Sequence, residues 1–209
     1  YLTHALNGGE FFQCRRPRWE SLHIIMGFVE LYDGTGQPDY LKAAQQIFNS
    51  LMRTDVHNTG GFSTGEQAIG NPFENGPIEL CCTIACNALG CELFLRTGDL
   101  RIADFLEKSF YNAVLGSFSP SGKWSTYNTP MEGVRIANYD EIGFQCRPGS
   151  PDLNCCSVNA ARGLGMLSEW AFTKDDEALY IHLFESCRID DDDISLEISG
   201  SYTEPSTDY

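Results

Sequence analysis

The sequence has no apolar run near the roughly 20 residues that a bilayer-spanning helix needs, so no membrane partner is predicted. Basic residues are scarce, with 14 Lys and Arg against 29 Asp and Glu and a formal net charge of −15. This balance argues against nucleic acid as a partner, because binding to phosphates depends on Lys and Arg. A Cys-x-x-Cys motif is also missing, which argues against a thiol redox protein built on the adjacent cysteines.

The acidic residues are concentrated in two stretches, TKDDEAL (173–179) and RIDDDDISL (188–196). The run from Asp190 to Asp193 lacks the spaced ligands and the turn glycine of a calcium-binding loop. We therefore interpret both stretches as solvated surface.

Nine cysteines in 209 residues are an odd and high count. A secreted disulfide scaffold is usually shorter and evenly paired, so the thiols favour a reducing compartment such as the cytoplasm. Free cysteine behaves as a small hydrophobe in apolar helices. We expect Cys14, Cys86, Cys91 and Cys187 to be buried packing residues of this kind.

A helical hairpin is predicted twice. Residues 20–52 contain two helices joined at GTGQP, with Pro38 opening the second helix, and residues 77–117 repeat this plan. ELYDGTG (30–36) aligns with ELFLRTG (92–98) at an offset of 62 residues. Repeated hairpins bury their apolar faces by stacking, as in a solenoid or a closed α/α toroid.

The remaining segments are loops, one more helix and strands. Residues 54–76 are rich in Gly, Asn and Thr, and a loop of this length is often functional. Residues 118–153 are also loop-rich, and a helix is predicted from about Asn154 to Phe172. After that, ALYIHLFES (178–186) and ISLEISGSY (194–202) alternate apolar and polar residues as half-buried strands do.

We place a domain boundary near Lys174, with a helical domain over 1–174 and the beginning of an all-β domain over 175–209. The chain begins without Met and ends just after a strand-like run. We therefore expect it to be a piece of a longer protein, in which targeting signals would lie elsewhere.

Two adjacent thiols, Cys155 and Cys156, are poor partners for each other, because neighbouring Cα atoms are too close for a relaxed disulfide. They could be packing residues, halves of two disulfides, or two ligands of one metal. Glu79 and Cys81 could complete a tetrahedral zinc site, although mid-helix they would lie about 200° apart. They could share a target at a helix entrance, which Pro77 marks.

Asn154 could likewise cap the helix that follows the cysteine pair. Even so, spacing alone favours buried, inert cysteines over a metal site, because Glu-x-Cys and Cys-Cys are short patterns. Four protein ligands would also be typical of a structural zinc site, since catalytic zinc usually keeps an open position.

An ordered set of motifs resembles glycoside hydrolase family 127, the β-L-arabinofuranosidase family. These motifs are TGGFSTGE (59–66), ELC (79–81), YNTPMEG (127–133) and CCSVNAAR (155–162), within a similarity that runs over roughly residues 20–205. The resemblance implies a mainly α fold, with part of an (α/α)6 barrel followed by the start of a β-sandwich domain. It also implies a retaining glycosidase that acts on a carbohydrate substrate.

The family's site residues carry over position by position. The resemblance implies that Zn²⁺ is held by one carboxylate and three thiolates, those of Glu79, Cys81, Cys155 and Cys156. Cys155 would be the nucleophile and Glu66 the general acid/base, while Tyr127 would contact substrate and His23 matches an active-site histidine of some relatives. A zinc-bound thiol is deprotonated, so the nucleophile itself can be a ligand and no open metal position is needed.

This chain departs from the family at several positions. Ser157-Val158 follow the cysteine pair where relatives often have Pro-Pro or Gly-Thr-Gly, ELC stands where many have ETC, and Cys82 adds a thiol whose role is open. The resemblance also implies that this chain lacks the N-terminal half of the barrel, so the chain by itself need not be active. The sugar, the linkage and the oligomeric state are left open, and a homo-oligomer is compatible with the sequence.

Two alternative functions remain at this stage. The first is a non-catalytic α/α-toroid protein in which zinc only links two loops. Such a structural site would not require the Glu66 carboxylate. The second is another enzyme on the same fold, such as a sugar epimerase, because fold does not fix function.

Overall fold

The computed structural model describes residues 1–131, 155–190 and 194–200. The helices are α1 Leu2–Leu6, α2 Trp19–Thr35, α3 Pro38–Thr54, α4 Leu80–Thr97, α5 Leu100–Ser109, α6 Leu115–Ser117, α7 Cys155–Gly165 and α8 Leu167–Trp170. A 3-10 turn covers Phe11–Gln13, and a π-helical turn over Phe110–Val114 joins α5 to α6. The strands are β1 Ile78–Glu79, β2 Asn128–Thr129, β3 Phe172–Lys174, β4 Leu179–Ile181, β5 Cys187–Asp190 and β6 Ser195–Ile198.

The two predicted helical hairpins are present as α2–α3 and α4–α5. The first helix of each hairpin ends at a glycine in the left-handed conformation, Gly36 with φ 69° and Gly98 with φ 62°. Glycine adopts this conformation without steric cost, which is why it ends the helix. Pro38 is the first residue of α3, and Asp99 caps α5 by accepting a hydrogen bond from the Arg101 amide. Turn chemistry alone was therefore enough to predict both hairpins.

Helix α4 forms the centre of the core. Fourteen of its 18 residues are buried, and it packs against α2, α5 and α7. By length and composition alone this helix could cross a membrane, but 78% of it is buried inside the structure, as in a core helix. The prediction of no membrane partner stays a prediction.

Helix α7 approaches α4 closely at Gly163. A Cβ atom on this glycine would lie only 2.5 Å from Cδ1 of Ile84 in α4. The predicted helix from Asn154 to Phe172 is in fact two helices, because α7 ends at Gly165 and α8 begins at Leu167. Its C-terminal bound was wrong, since Phe172 already starts β3, and Asn154 lies outside the described residues.

The strands form three two-stranded antiparallel ribbons, β1–β2, β3–β4 and β5–β6. The strand predicted over 178–186 is limited to Leu179–Ile181, because the chain then turns inward, burying Leu183 and placing His182 edge-on to Phe94 in α4. The strand predicted over 194–202 is present as β6, Ser195–Ile198. The domain division at Lys174 stays a prediction.

The acidic stretches are exposed where they are described, as at Asp175, Asp176 and Asp190, and residues 191–193 lie outside the described residues. Strand β5, which enters the second stretch, was not predicted, although its exposed and half-buried residues alternate. Cys86 and Cys91 are fully buried as predicted, whereas Cys14 and Cys187 are only half-buried. For these two cysteines the prediction of burial was wrong, because Cys14 packs only against the edge of the core and Cys187 lies in the two-stranded β5–β6 ribbon.

Candidate metal centre and active site

The structure brings together the four residues predicted as metal ligands. One ligand atom from each of Glu79, Cys81, Cys155 and Cys156 lies within 4.8 Å of the other three. The Sγ atoms of Cys81 and Cys156 are 3.2 Å apart without forming a disulfide, and the Cys156 Sγ atom is 3.8 Å from Oε1 of Glu79. Three sulfurs and one carboxylate oxygen are a donor set that suits a tetrahedral zinc ion, so the residues present fit such a metal.

Local backbone geometry explains how Glu79 and Cys81 reach one point. Glu79 is the N-cap of α4, with φ −78° and ψ 132°, so it is extended and precedes the helical repeat. Its Oε2 atom accepts a hydrogen bond from the Cys82 amide at 3.3 Å, and its backbone pairs with Asn128 in the β1–β2 ribbon. The helix entrance that Pro77 predicted is therefore the feature that lets both side chains face the cluster.

Cys155 and Cys156 are the first two residues of α7. The cluster thus lies at the N-terminal ends of two helices, α4 and α7. Unpaired amides at a helix N-terminus create a positive field that stabilises thiolates. The helix ends therefore act against the hydrogen bond with Cys155 that raises the pKa of the Cys81 thiol and against the burial that raises the pKa of the Cys156 thiol.

The four residues of the cluster differ in their exposure to solvent. Glu79 and Cys156 are fully buried and Cys81 is nearly so, whereas Cys155 is exposed. Burial raises the pKa of Glu79 to about 7 and raises that of Cys156 strongly. Hydrogen bonds with the Cys156 and Cys81 thiols lower the pKa of Cys155 to about 3. Among the three thiols of the cluster, the thiolate form is thus favoured at Cys155.

Glu66 lies at the tip of a tight turn in the Gly-rich loop. Gly65 and Glu66 both have positive φ, 56° and 70°, and Thr64 and Gln67 hydrogen-bond across them. Positive φ at both central residues is the pattern of a type I′ turn. The Cys82 thiol donates to the Glu66 carbonyl oxygen at 3.6 Å, so Cys82 contacts the turn while its neighbour Cys81 faces the cluster.

Asp55 holds the far end of the same loop. Its buried carboxylate accepts hydrogen bonds from the amides of Ile69 at 2.6 Å and Gly70 at 2.8 Å. Nearby, the His57 Nε2 atom lies 3.0 Å from the Ser63 carbonyl oxygen. The long loop predicted over 54–76 is therefore held by its own buried polar groups, which fixes the Glu66 turn against α4.

Tyr127 connects Glu66 to the thiol cluster. The buried Tyr127 hydroxyl donates to Oε1 of Glu66 at 3.0 Å, and a further hydrogen bond with Cys155 contributes to the low pKa of that thiol. Burial raises the pKa of Tyr127, so its hydroxyl stays protonated. A single hydroxyl group thus contacts both the Glu66 carboxylate and the exposed thiol.

The structure adds two polar residues that the sequence motifs did not single out. Arg18 places Nη1 3.3 Å from Oε2 of Glu66, while Tyr127 contacts the other carboxylate oxygen, Oε1. Asn159 places its side-chain nitrogen 3.3 Å from the Cys81 Sγ atom. The position of Asn159, four residues after Cys155, is the one sequence signal that could have identified it, because helical residues at this spacing share a face.

His23 is the predicted site residue with the weakest connection to the cluster. Its Nδ1 atom lies 2.9 Å from the Trp19 carbonyl oxygen, its ring packs edge-on against Trp19, and its Nε2 atom is 3.4 Å from Nη1 of Arg162. His23 therefore lies on α2 where this helix faces Arg162 of α7. Its role as a substrate contact stays a prediction.

The four candidate ligands form a cluster of three thiols and a carboxylate that could hold a metal ion, at the ends of two helices in a mainly helical domain. The model of the family described as β-L-arabinofuranosidase, GH127 catalytic domain, matches residues 13–169. The chain belongs to this family, and the predicted resemblance is confirmed.

Solved structures share the fold. One is a GH127 β-L-arabinofuranosidase from Geobacillus stearothermophilus T6, with 19% identity, a TM-score of 0.69, and coverage of 88% of this chain and 31% of that one. A GH127 β-arabinofuranosidase has 22% identity, a TM-score of 0.70, and coverage of 88% and 30%. A third, described as a glycoside hydrolase, has 21% identity, a TM-score of 0.69, and coverage of 88% and 35%.

The chain thus spans about a third of the length of these solved structures. A comparison with curated proteins gives no match.

Proposed function

We propose that this chain is part of a retaining glycoside hydrolase of the β-L-arabinofuranosidase type. Its two helical hairpins would form part of an (α/α)6 barrel, and its last ribbons would begin a β-sandwich domain. Membership of the GH127 catalytic-domain family supports the reaction class. The whole protein would act on a carbohydrate, and the similarity to two arabinofuranosidases of known structure favours an arabinofuranoside.

One observation carries the proposal: Cys155 is the exposed member of an otherwise buried cluster. A purely structural site would have no reason to leave one ligand accessible. Glu79, Cys81, Cys155 and Cys156 would hold Zn²⁺. The bound metal would keep the Cys155 thiol deprotonated at neutral pH.

Cys155 and Glu66 would divide the chemistry between them. In the first step the Cys155 sulfur bonds to the anomeric carbon while the bond to the leaving oxygen breaks, and the Glu66 carboxyl group gives its proton to that oxygen. In the second step the Glu66 carboxylate takes a proton from water. The water oxygen bonds to the anomeric carbon, the carbon–sulfur bond breaks, and the thiolate returns. Two displacements at one carbon retain its configuration.

Tyr127 would hold the Glu66 carboxylate and the Cys155 thiol at a fixed separation, because its hydroxyl contacts both. Retaining glycosidases place their two catalytic groups about 5–5.5 Å apart, a separation that one bridging hydroxyl can span. Tyr127 would also contact the sugar, and His23 would contact substrate from the second turn of α2.

The Glu66→Gln variant tests the proposal against a structural zinc site. The measurements are zinc per chain by elemental mass spectrometry and hydrolysis of an aryl β-L-arabinofuranoside by the full-length protein. We expect one zinc per chain in both wild type and variant, with turnover reduced at least 100-fold in the variant, because general acid–base catalysis contributes about that much.

A Cys155→Ser, Cys156→Ser double variant serves as the companion control and should lose both zinc and turnover. Unchanged hydrolysis in Glu66→Gln would remove Glu66 from the mechanism, whereas a wild type that holds zinc and does not hydrolyse the substrate would favour a structural role of the cluster. A wild-type protein that is folded and free of zinc would remove the metal from the mechanism.

A further inference from the structure

The side-chain amide of Asn159 links the two segments that carry the cysteine ligands. Its Nδ2 atom lies 3.3 Å from the Cys81 Sγ atom and 3.1 Å from the Cys155 carbonyl oxygen. Cys81 belongs to α4, and Cys155 is the first residue of α7. The amide group thus spans the interface between the two helices at the level of the cluster.

The chemistry of the amide suits both contacts at once. An Asn NH2 group has two donor hydrogens, so it can serve a sulfur and a carbonyl oxygen together. A thiolate is an acceptor that gains from such a donor, because hydrogen bonds to charged groups are stronger than neutral ones. The carbonyl of Cys155 fixes the direction of the amide along α7, which leaves the second hydrogen directed at Cys81.

Asparagine is a poor choice for the helix itself. It has a lower helix propensity than alanine, because its side chain competes for backbone hydrogen bonds. Its position in the second turn of α7 therefore costs some helix stability. The hydrogen bond to the Cys81 sulfur is the interaction that offsets this cost.

We propose that Asn159 is a positioning residue of the metal centre, which holds the Cys81 thiolate as a ligand and fixes the first turn of α7 against it. This inference rests on the proposed function, because it requires the cluster to bind Zn²⁺. Residues that orient metal ligands typically contribute about 10- to 100-fold to metal affinity.

The test compares Asn159→Ala and Asn159→Asp with a matched control, Asn112→Ala. The Asn112 amide donates to the carbonyl oxygen four residues earlier, that of Lys108, at 2.8 Å, as Asn159 does to Cys155. Zinc affinity is measured by competition with a chromophoric chelator on the purified protein under reducing conditions. Cobalt(II) substitution reports the thiolate ligands through their charge-transfer absorption.

Asn159→Ala should bind zinc roughly 10- to 100-fold more weakly, while the thermal midpoint of its metal-free form is equal to or above that of the wild type. The cobalt charge-transfer band should also change. Asn159→Asp should bind zinc more weakly as well, because a carboxylate cannot donate to sulfur. Asn112→Ala should match the wild type.

Wild-type zinc affinity and an unchanged cobalt spectrum in Asn159→Ala would overturn the inference alone. An equal loss of affinity in Asn112→Ala would overturn it too, because the effect would then belong to helix stability. A folded wild type that binds no zinc would overturn the proposed function together with this inference.

Discussion

Glu66, the proposed general acid/base, has an unfavourable backbone conformation. Its φ of 70° lies in the left-handed region, which costs a residue with a Cβ atom roughly 1–2 kcal/mol. Neighbouring Gly65 has a similar φ of 56° without that cost. A glycine at 66 would suit the turn better, so the carboxylate is placed there against the preference of the backbone. Such strain is typical of functional sites.

Comparing Glu66→Gly with Glu66→Ala isolates this backbone cost. Both variants lose the contacts of the carboxylate with Tyr127 and Arg18, but only glycine relieves the left-handed conformation. We expect Glu66→Gly to be about 1 kcal/mol more stable than Glu66→Ala. The measurement is the free energy of unfolding from urea titration. Equal stability, or a more stable alanine variant, would show that the turn relaxes when the side chain is removed.

The site was partly predictable at the level of single residues. The four candidate ligands and Glu66 could be proposed only through the resemblance of the ordered motifs to a known family, since spacing alone favoured inert cysteines. The helix entrance at Pro77 made Glu79 and Cys81 compatible with one site. Arg18 and Asn159 could not, because each contacts a residue distant in the chain, Glu66 or Cys81. Such contacts depend on how α2, α4 and α7 pack, which no local pattern determines.

The packing of α7 on α4 sets the separation of the cysteine ligands. Gly163, in the third turn of α7, allows the two helices to approach, since a Cβ atom there would lie 2.5 Å from Cδ1 of Ile84 and 3.0 Å from Cγ1 of Val114. Helices that pack this closely transmit a displacement along their length, because protein interiors leave few voids. The ligands at the start of α7 are therefore sensitive to this glycine.

Gly163→Ala should destabilise the protein by about 1–3 kcal/mol, the usual cost of overpacking a core. Gly165→Ala is the matched control on the same helix, where a Cβ atom would meet nothing within 4 Å. That change should be neutral or slightly stabilising, because alanine has the higher helix propensity. Thermal unfolding monitored by circular dichroism compares the two variants.

A second substitution tests the origin of the Gly163→Ala effect. Ile84→Val removes the Cδ1 atom that the new methyl group would meet, so the double variant should regain part of the lost stability. Additive losses in the double variant would contradict the close contact between α7 and α4.

Elements with strong local signals were predicted well, and those set by tertiary contacts were not. The Thr-Gly-ended helices and the Pro38 helix start follow from backbone chemistry at single positions. The 178–186 strand was predicted too long, because its alternating pattern continues through His182 and Leu183, which pack on the helical core instead. Local alternation does not distinguish a paired strand from a chain that turns inward.

At the scale of the whole molecule, the candidate metal centre joins parts of the chain that are far apart in sequence. Cys81 and Cys156 are 75 residues apart, and their sulfurs are in contact. Between them lie α5, the π-helical turn and the β2 strand. A metal bound by both segments closes this long loop in the folded state and not in the unfolded one, so binding and folding are coupled.

Removing zinc with a strong chelator should therefore lower the thermal midpoint of the wild type. A metal that binds the folded state alone stabilises it by about 4 kcal/mol when its free concentration is 1,000 times its dissociation constant. The Cys155→Ser, Cys156→Ser double variant should unfold at the same temperature with and without chelator, because it lacks two of the four ligands. Calorimetric scans at fixed protein concentration and graded free zinc measure the difference. If the double variant shifts as far as the wild type, zinc is stabilising the protein elsewhere and the cluster does not join α4 to α7 through a metal.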